Sequence, residues 1–327
     1  MTAAAAGQQL FQYDPDIGYR FVPNLKTRIQ SDQGGYLLQT NAAGFRSAHA
    51  FDGMPQDARR VLLFGDSFTA GDSVSNSLRY GDLLESKLAP LQVYNFGLPG
   101  TGTDQHFIAY QKFARTLPCN AVVIAVLVEN IRRIASAYRV QADGQGREVF
   151  VPKPYFELQD GKLVRHFDPV PKEPVPADTI KDNQQVDTGG RFGELRSLVR
   201  SLGLQAVVQR MTRYQPTPEY DSAANPHWLL MRAILTAWRG LISQPVVLMP
   251  LPLYQHVEGT ADPSAYRARF RELAAEIGAV LHDPLDDLLA YPAAARRKFR
   301  FPVDVHPTPA GHEAIAASLA KTLAQIL

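Results

Sequence analysis

Short apolar runs alternate with stretches of helical spacing from residue 59 to the end of the chain. The run Ala121–Leu127 contains only apolar residues, which is typical of a central strand that is buried on both faces of a parallel sheet. Strands that alternate with helices in this way predict a three-layer α/β/α fold with a central parallel sheet of about five strands. The predicted strands span residues 59–65, 91–96, 121–127, 245–252 and 278–282, and the predicted helices span residues 78–89, 104–116, 192–213, 226–243, 263–276 and 311–327.

Two regions lie outside this alternation. Residues 1–58 contain aromatic segments separated by turn residues, and the alternation at residues 26–30 predicts a short hairpin. We expect this N-terminal extension to pack over the edge of the sheet, with a direct role in substrate binding as the alternative. Residues 141–190 are rich in Pro, Gly, Asp and Lys, which predicts a compact loop or small cap. The prediction is therefore one domain, residues 59–327, in which an insertion at residues 131–244 forms a cap or lid.

Polar residues occur where the predicted strands end. Ser67 follows the first strand of the sheet, and ligands of open α/β sheets bind beyond the carboxyl ends of the strands. The alternative is a turn serine that caps the next helix. Near the other end of the chain, Asp304 and His306 precede the last predicted helix. A serine hydroxyl becomes a good nucleophile when a base removes its proton and an acceptor orients that base, so these three residue types indicate acyl-transfer chemistry.

Four motifs occur in order along the chain: Gly65-Asp66-Ser67, Asn95–Thr103, Ile124–Asn130 and Asp304–His312. Together they resemble the SGNH (GDSL-like) hydrolase family, whose flavodoxin-like fold agrees with the predicted alternation. The resemblance covers about residues 60–130 and 245–327. The aromatic N-terminal extension is similar to leaders of bacterial members that modify polysaccharides and cell surfaces. It shares with them the segment Asn41-Ala42-Ala43-Gly44-Phe45-Arg46.

The resemblance implies a role for each matching residue. Ser67 is expected to be the nucleophile, His306 the general base and Asp304 the acid that orients the imidazole. The oxyanion hole is expected to consist of the backbone N–H groups of Ser67 and Gly100 and the side-chain amide of Asn130. The serine does not stand in the Gly-x-Ser-x-Gly pattern of α/β-hydrolases, which argues against a conventional lipase.

The spacing of the last motif departs from the family. Its members commonly have Asp-x-x-His, whereas here the aspartate is two residues before the histidine and Val303 occupies the third place. Residues two apart in an extended segment point the same way, with Cα atoms about 6.6 Å apart, so Asp304 can still face His306. Asp283, Asp286 and a backbone carbonyl remain alternatives for the orienting group.

Several other polar residues receive structural interpretations. His312 lies at the start of the last helix and is expected to be structural. Arg132 and Arg133 follow Asn130, where they are either contacts for an anionic substrate group or an exposed charged pair. The remaining histidines have no metal-ligand spacing, so we expect neither a metal nor a cofactor.

Composition narrows the functional classes. The chain has 34 basic and 32 acidic residues and no long basic run, which gives no support to nucleic-acid or membrane-surface binding. No stretch reaches about 18 apolar residues, and the N-terminus lacks the pattern of a secretory signal. We therefore expect a cytoplasmic protein without a membrane span, and its oligomeric state stays open.

The leading functional prediction is a serine esterase that removes a short acyl group, such as acetyl, from a carbohydrate or related small molecule. The polar residues around the motifs favour a hydroxylated substrate: Thr69, Thr101, Thr103 and Asp104. An SGNH-type O-acyltransferase, which passes the same acyl group to a sugar hydroxyl, is the alternative. A third hypothesis, from another class of protein, treats residues 65–71 as the phosphate loop of a flavodoxin-like protein that binds a phosphorylated cofactor.

Overall fold

A computed structural model describes residues 9–30, 34–51, 58–142, 148–176, 186–187 and 214–327. The helix predicted over residues 192–213 lies outside the described residues. The strands are β1 Phe11–Asp14, β2 Gly18–Phe21, β3 Lys26–Ile29, β4 Tyr36–Gln39, β5 Arg59–Phe64, β6 Leu91–Asn95, β7 Ala121–Leu127, β8 Tyr138–Ala142, β9 Glu148–Pro152, β10 Tyr155–Gln159, β11 Lys162–His166, β12 Val175–Pro176, β13 Val186–Asp187, β14 Val246–Leu251 and β15 Val280–Leu281. The helices are α1 Ser67–Ala70, α2 Tyr80–Lys87, α3 Thr103–Ala109, α4 Asn130–Arg133, α5 Pro226–Arg239, α6 Tyr254–Val257, α7 Ser264–Ile277, α8 Leu285–Leu289, α9 Ala293–Arg296 and α10 Pro309–Ile326.

The central sheet has the strand order β15-β14-β7-β5-β6, and all of its neighbouring strands are parallel. Every residue of β7 and β14 is buried, because helices cover both faces of these central strands. Helices α2 and α10 pack against each other, and α3, α5 and α7 form a second group of contacting helices. The predicted α/β fold with a parallel sheet of five strands is confirmed.

The last helix shows how local sequence fixes the boundaries. Thr308 is the N-cap of α10, and its Oγ1 accepts the backbone N–H of Gly311 at 3.3 Å. Pro309 occupies the first helical position, where the missing N–H costs no hydrogen bond. The helix therefore begins three residues after His306, which places that histidine in the preceding loop.

The N-terminal extension forms two antiparallel hairpins, β1–β2 and β3–β4, and the hairpin predicted at residues 26–30 is found in the second. The turn that follows is built by Asn41, whose Oδ1 accepts the N–H groups of Ala43 and Phe45. Phe45 is fully buried, and its ring lies 5.0 Å from that of Phe96 beside the sheet. Packing against the core is thus the visible role of this segment.

The described part of the insertion is mostly β-structure. Strands β12, β9, β8 and β13 form one small sheet, and β10 pairs with β11 in a separate hairpin. A buried ion pair between Lys153 and Asp104 of α3 joins this region to the core. Its action as a cap or lid stays a prediction. Among the described helices, none combines the length and the apolar character that crossing a bilayer requires.

Candidate active site

The nucleophile candidate begins a short helix at the carboxyl edge of the sheet. Ser67 is the first residue of α1, and only 5% of its surface is exposed. Asp66 is the N-cap, with Oδ1 accepting the N–H of Phe68 at 3.1 Å, and Gly71 ends the helix with a φ of 75°. The first N–H groups of a helix lack acceptors within it. Ser67 therefore presents two groups at this edge of the sheet: its hydroxyl, and a backbone N–H that has no acceptor within the helix.

The loop after β6 requires glycine at two positions. A Cβ on Gly97 would overlap the backbone of Ala70, so only glycine lets this loop approach α1 closely. Gly100 has a φ of 71°, in the left-handed region that favours glycine. A Cβ on Gly100 would also overlap the guanidinium of Arg139, which comes from β8 of the insertion. The predicted oxyanion-hole glycine thus follows β6 at the edge where Ser67 follows β5.

Asn130 follows β7 at the same edge and begins α4. Its side chain is fully buried, and neither Nδ2 nor Oδ1 has a hydrogen-bond partner. A buried amide without a partner costs about 1–3 kcal/mol, so it calls for a functional explanation. An oxygen that becomes negatively charged during a reaction would use the Nδ2 donor, which is the role predicted for this residue.

The structure brings Asp304 to His306. The Oδ1 of Asp304 lies 2.5 Å from the Nδ1 of His306 and also accepts the backbone N–H of His306 at 3.2 Å. The two alternative carboxylates bond Arg267 instead, at 2.6 Å each: Asp283 through its Oδ2 to Nε and Asp286 through its Oδ2 to Nη2. A spacing of two residues is therefore sufficient for the aspartate to reach the imidazole.

The electrostatic environment favours the charged form of each member of this pair. Burial opposes ionisation of Asp304, but the hydrogen bonds from His306 and Ser73 lower its pKa to about 2. Burial likewise opposes the charged form of His306, and the hydrogen bond with Asp304 and the charge of Asp72 outweigh it, so the pKa of His306 is raised. At neutral pH Asp304 is therefore an anion, which can stabilise the imidazolium that forms when a general base accepts a proton.

His306 lies next to the nucleophile helix. Its ring contacts that of Phe68, the residue after Ser67, with 5.5 Å between centroids. The charge of Asp66, the residue before Ser67, also raises the pKa of His306. No hydrogen bond joins Ser67 to His306. Catalytic hydrogen bonds often tighten only when substrate binds, and the contact with Phe68 places His306 beside the helix that Ser67 begins.

The two arginines after Asn130 both bond carboxylates of this chain. Arg132 bonds Glu219 through Nε at 2.5 Å, so it is engaged by an internal carboxylate. Arg133 bonds the Oδ2 of Asp66 at 3.0 Å and is largely buried. The expectation of an exposed pair is wrong for Arg133, because the N-cap carboxylate of the nucleophile helix requires a counter-charge once it is buried.

The buried histidines of the described region are structural. His312 is fully buried, its Nδ1 accepts the N–H of Tyr80 at 3.3 Å, and desolvation lowers its pKa to about 3. His106 is also buried, and its Nε2 lies 2.8 Å from the hydroxyl of Thr101. In the part of the chain that the structure describes, no three His, Cys, Asp or Glu side chains are grouped as metal ligands would be.

The polar residues expected to form a hydroxylated rim face inward. All four are fully buried: Thr69, Thr101, Thr103 and Asp104. The hydroxyl of Thr69 lies 2.6 Å from that of Tyr80, and Asp104 pairs with Lys153. Because all four side chains are buried, they give no support to a carbohydrate substrate.

An apolar cavity adjoins the candidate catalytic residues. Its volume is about 480 Å³, including the part open to solvent. Phe68 lines it beside the nucleophile, and Val305 and Pro307, the neighbours of His306, line it on the other side. Other apolar residues that complete it are Leu251, Pro252, Val257, Leu288, Phe299 and Ile315. Arg300 and Glu258, which also line the cavity, are paired with each other at 2.7 Å.

Two of the functional candidates were not found from the sequence. Ser73 donates its hydroxyl to the Oδ2 of Asp304 at 2.8 Å, although the two residues are 231 positions apart. Arg46 is fully buried beneath the loop that carries Ser73. The segment Asn41–Arg46 stands out in the sequence for its resemblance to bacterial members of the SGNH family, but nothing in the sequence indicated what Arg46 contacts.

Among solved structures, the chain is similar to a member of the lipolytic protein G-D-S-L family from Veillonella parvula, with 12% identity, a TM-score of 0.43, and coverage of 82% of this chain and 99% of that one. It is similar to TesA with 12% identity, a TM-score of 0.46, and coverage of 82% and 100%. It is also similar to Axe2, an acetylxylan esterase from Geobacillus stearothermophilus, with 14% identity, a TM-score of 0.42, and coverage of 83% and 95%.

No curated protein sequence matches the chain. The model of the GDSL-like Lipase/Acylhydrolase family matches residues 63–314, and this range includes all four motifs found in the sequence. This match confirms the predicted SGNH hydrolase family. The chain belongs to the GDSL-like lipase/acylhydrolase family.

Proposed function

We propose that the protein is a serine esterase in which Ser67 forms an acyl-enzyme intermediate. The observation that carries this proposal is the pair Asp304–His306 beside the nucleophile helix, at the sheet edge where the buried amide of Asn130 has no partner. A base, its orienting acid and an unused donor meet where a carbonyl would be attacked. These are the parts that acyl transfer to serine needs.

The proposed reaction has two steps. Neutral His306 accepts the proton of Ser67 through Nε2 while Oγ attacks the ester carbonyl, and Asp304 stabilises the resulting imidazolium. The oxygen of the tetrahedral intermediate accepts hydrogen bonds from the N–H groups of Ser67 and Gly100 and from Nδ2 of Asn130. His306 then returns the proton to the leaving alcohol. A water molecule, deprotonated by the same imidazole, releases the acid and regenerates Ser67.

The apolar cavity suggests which esters bind. Ligand sites commonly have predominantly apolar linings, and this cavity is lined by Phe68 and Val305, the neighbours of Ser67 and His306 in the chain. We propose that it holds the apolar part of the ester, so that substrates larger than acetyl esters react best. Acetylated carbohydrates, the prediction from sequence, stay a candidate that the same experiment tests.

The other two functional hypotheses differ in what they require. An O-acyltransferase would use the same acyl-serine and differ only in the acceptor, so an acceptor alcohol belongs in the assay. A phosphate-binding loop is disfavoured because the buried carboxylate of Asp66 occupies the start of α1, where a phosphate would have to bind. That helix also has only four residues.

A series of p-nitrophenyl esters from acetate to dodecanoate tests the proposal, together with acetylated xylose and with an added acceptor alcohol. We expect hydrolysis by the wild type with a maximum at intermediate chain length, and none by Ser67→Ala. Ser86→Ala, which removes an exposed hydroxyl from α2, is the matched control and should retain full activity. Hydrolysis that survives Ser67→Ala would overturn the mechanism. Acyl transfer without release would convert the assignment to a transferase.

A further inference from the structure

The two carboxylate oxygens of Asp304 have different partners. Oδ1 is used by His306, through both Nδ1 and the backbone N–H. Oδ2 accepts the hydroxyl of Ser73 at 2.8 Å. Ser73 lies in the loop that follows the nucleophile helix, so this hydrogen bond joins the loop of the nucleophile to the loop of the base. The carboxylate is thus held from two sides, and one of them depends on Ser73.

Asp304 has few other constraints. Its neighbours Val303 and Val305 are 83% and 42% exposed, so packing does little to fix the backbone on either side. The aspartate is also only two residues from His306, within one short loop. A carboxylate in such a loop keeps its orientation through hydrogen bonds, and Ser73 supplies the one from outside the loop.

The conformation of Ser73 itself requires support. Its φ is 68°, a left-handed conformation that is uncommon for residues other than glycine and persists when the surroundings impose it. The surroundings here are the side chain of Arg46. Its Nη1 bonds the carbonyls of Ala70, at 2.9 Å, and Gly71, and its Nη2 bonds the carbonyl of Val74. The guanidinium therefore holds backbone carbonyls on both sides of Ser73.

Arg46 is well suited to this position. It is fully buried, and its remaining donors bond the Oδ1 of Asn76 at 2.9 Å and the carbonyl of Leu37 at 3.2 Å. The fixed fork of a guanidinium can bond several carbonyls at once, which an ammonium group cannot reproduce. Arg46 lies in the N-terminal extension, before the residues that the family model matches.

We infer that Ser73 is a positioning residue for Asp304, and that Arg46 acts through Ser73 by holding the loop that carries it. This inference rests on the proposed function, because it assigns the two residues to the orientation of the catalytic base. It makes the N-terminal extension part of the catalytic apparatus. In this role the extension acts by fixing the acid that orients His306.

The test uses a fluorophosphonate probe, whose rate of reaction with Ser67 reports activation of the hydroxyl and needs no knowledge of the natural ester. The rate is measured from pH 5 to 9 in the wild type, Ser73→Ala and Ser73→Gly. Glycine relaxes the left-handed backbone, so a loss shared by both variants is due to the hydroxyl. Ser75→Ala is the matched control, since that hydroxyl accepts the N–H of Leu37 and does not contact Asp304.

We expect both Ser73 variants to react about 10-fold more slowly at the pH plateau, as for loss of a hydrogen bond to a charged group. Asp304, Asp72 and Asp66 are the charged groups that raise the pKa of His306. When Asp304 is held less firmly, that pKa falls toward its ordinary value, so the acid limb of the profile should move to lower pH.

The contribution of Arg46 is tested with Arg46→Lys in the wild type and in the Ser73→Ala background. If Arg46 acts through Ser73, the lysine slows labelling in the wild type and has little further effect in Ser73→Ala. Equal effects in both backgrounds would show a general structural role and overturn that part of the inference. Should Arg46→Lys fail to fold, the Ser73 variants alone decide: wild-type rates and an unshifted profile in Ser73→Ala and Ser73→Gly would overturn it. A wild type that is not labelled at all would instead refute the proposed function.

Discussion

The loop that carries the nucleophile and the loop that carries the base are built in different ways. Residues 65–74 are mostly buried, and the side chains of Asp66 and Arg46 bond their backbone along most of their length. Residues 301–307 include the exposed Val303 and are closed by a backbone hydrogen bond from Phe301 to the carbonyl of His306 at 3.1 Å. One loop is fixed by the core, and the other is fixed mainly through Asp304.

This difference separates folding from catalysis. Substitutions that disturb the nucleophile loop remove buried hydrogen bonds, so they should reduce both stability and activity. Substitutions in the loop of the base remove few buried contacts, so they should reduce activity while the protein stays folded. A variant in residues 301–307 that unfolds the protein would contradict this difference between the two loops. Variants that change only activity or only stability would support it.

Among changes in the loop of the base, the largest effect on activity is expected for Asp304→Asn. The amide cannot stabilise the imidazolium and favours the wrong tautomer of His306, so kcat should fall about 10⁴-fold. The thermal stability should fall modestly, because the variant loses an ion pair that stabilises the folded protein but is only half-buried. Hydrolysis of a p-nitrophenyl ester and a melting curve measure both. Asp286→Asn removes a carboxylate that bonds Arg267, and it should leave kcat unchanged.

A smaller loss is expected for Asn130→Ala. Removal of one oxyanion donor typically costs about 2.7–4 kcal/mol of transition-state stabilisation, which is about 10²–10³-fold in kcat. Stability should be nearly unchanged, because the variant also removes a buried amide that has no partner. Asn120→Ala is the control with the opposite signature: its Oδ1 accepts the N–H of Arg60 at 2.8 Å, so stability should fall and kcat should not. A loss of stability in Asn130→Ala with normal kcat would contradict the assignment.

The smallest expected effect is a pH dependence of the folding stability, and it arises from His312 in the core beneath the nucleophile loop. The pKa of His312 is about 3 in the folded protein and near 6.5 in the unfolded chain, so the unfolded state binds the additional proton between these values. Stability is therefore complete above pH 6.5 and is lost as pH falls toward 3, by at most about 1.4 kcal/mol per pH unit for one histidine. Urea unfolding at pH 7.5 and 5.5 should show this loss. His312→Asn should reduce the difference, and an unchanged difference would mean that other groups cause it.

The sequence predicted the parts of the molecule that depend on local pattern. The apolar runs located all five strands of the sheet, and the motifs located Ser67, Gly100, Asn130 and His306 at its carboxyl edge. The spacing of Asp304 and His306 was also sufficient to predict their contact, because both residues belong to one short loop.

The parts that escaped prediction depend on long-range contacts and on side-chain direction. The hydrogen bond from Ser73 to Asp304 joins residues that are 231 positions apart, and the hydrophobic pattern of a sequence does not predict contacts over such a distance. Asp104 lies in the first turn of α3, and its buried partner Lys153 comes from the insertion, so its neighbours in the sequence do not show that it points inward. The strand order of the small sheet in the insertion also depends on long-range pairing, because β13 pairs with β8 across about 45 residues.

The most direct test is a crystal structure of the protein after reaction with a fluorophosphonate. The account predicts a covalent bond at Ser67 Oγ, with the phosphonyl oxygen about 2.7–3.1 Å from Nδ2 of Asn130 and from the N–H groups of Ser67 and Gly100. It also predicts that His306, still bonded to Asp304, faces the modified serine. An adduct on a different residue, or an Asn130 amide that remains unpaired beside the phosphonyl group, would contradict it.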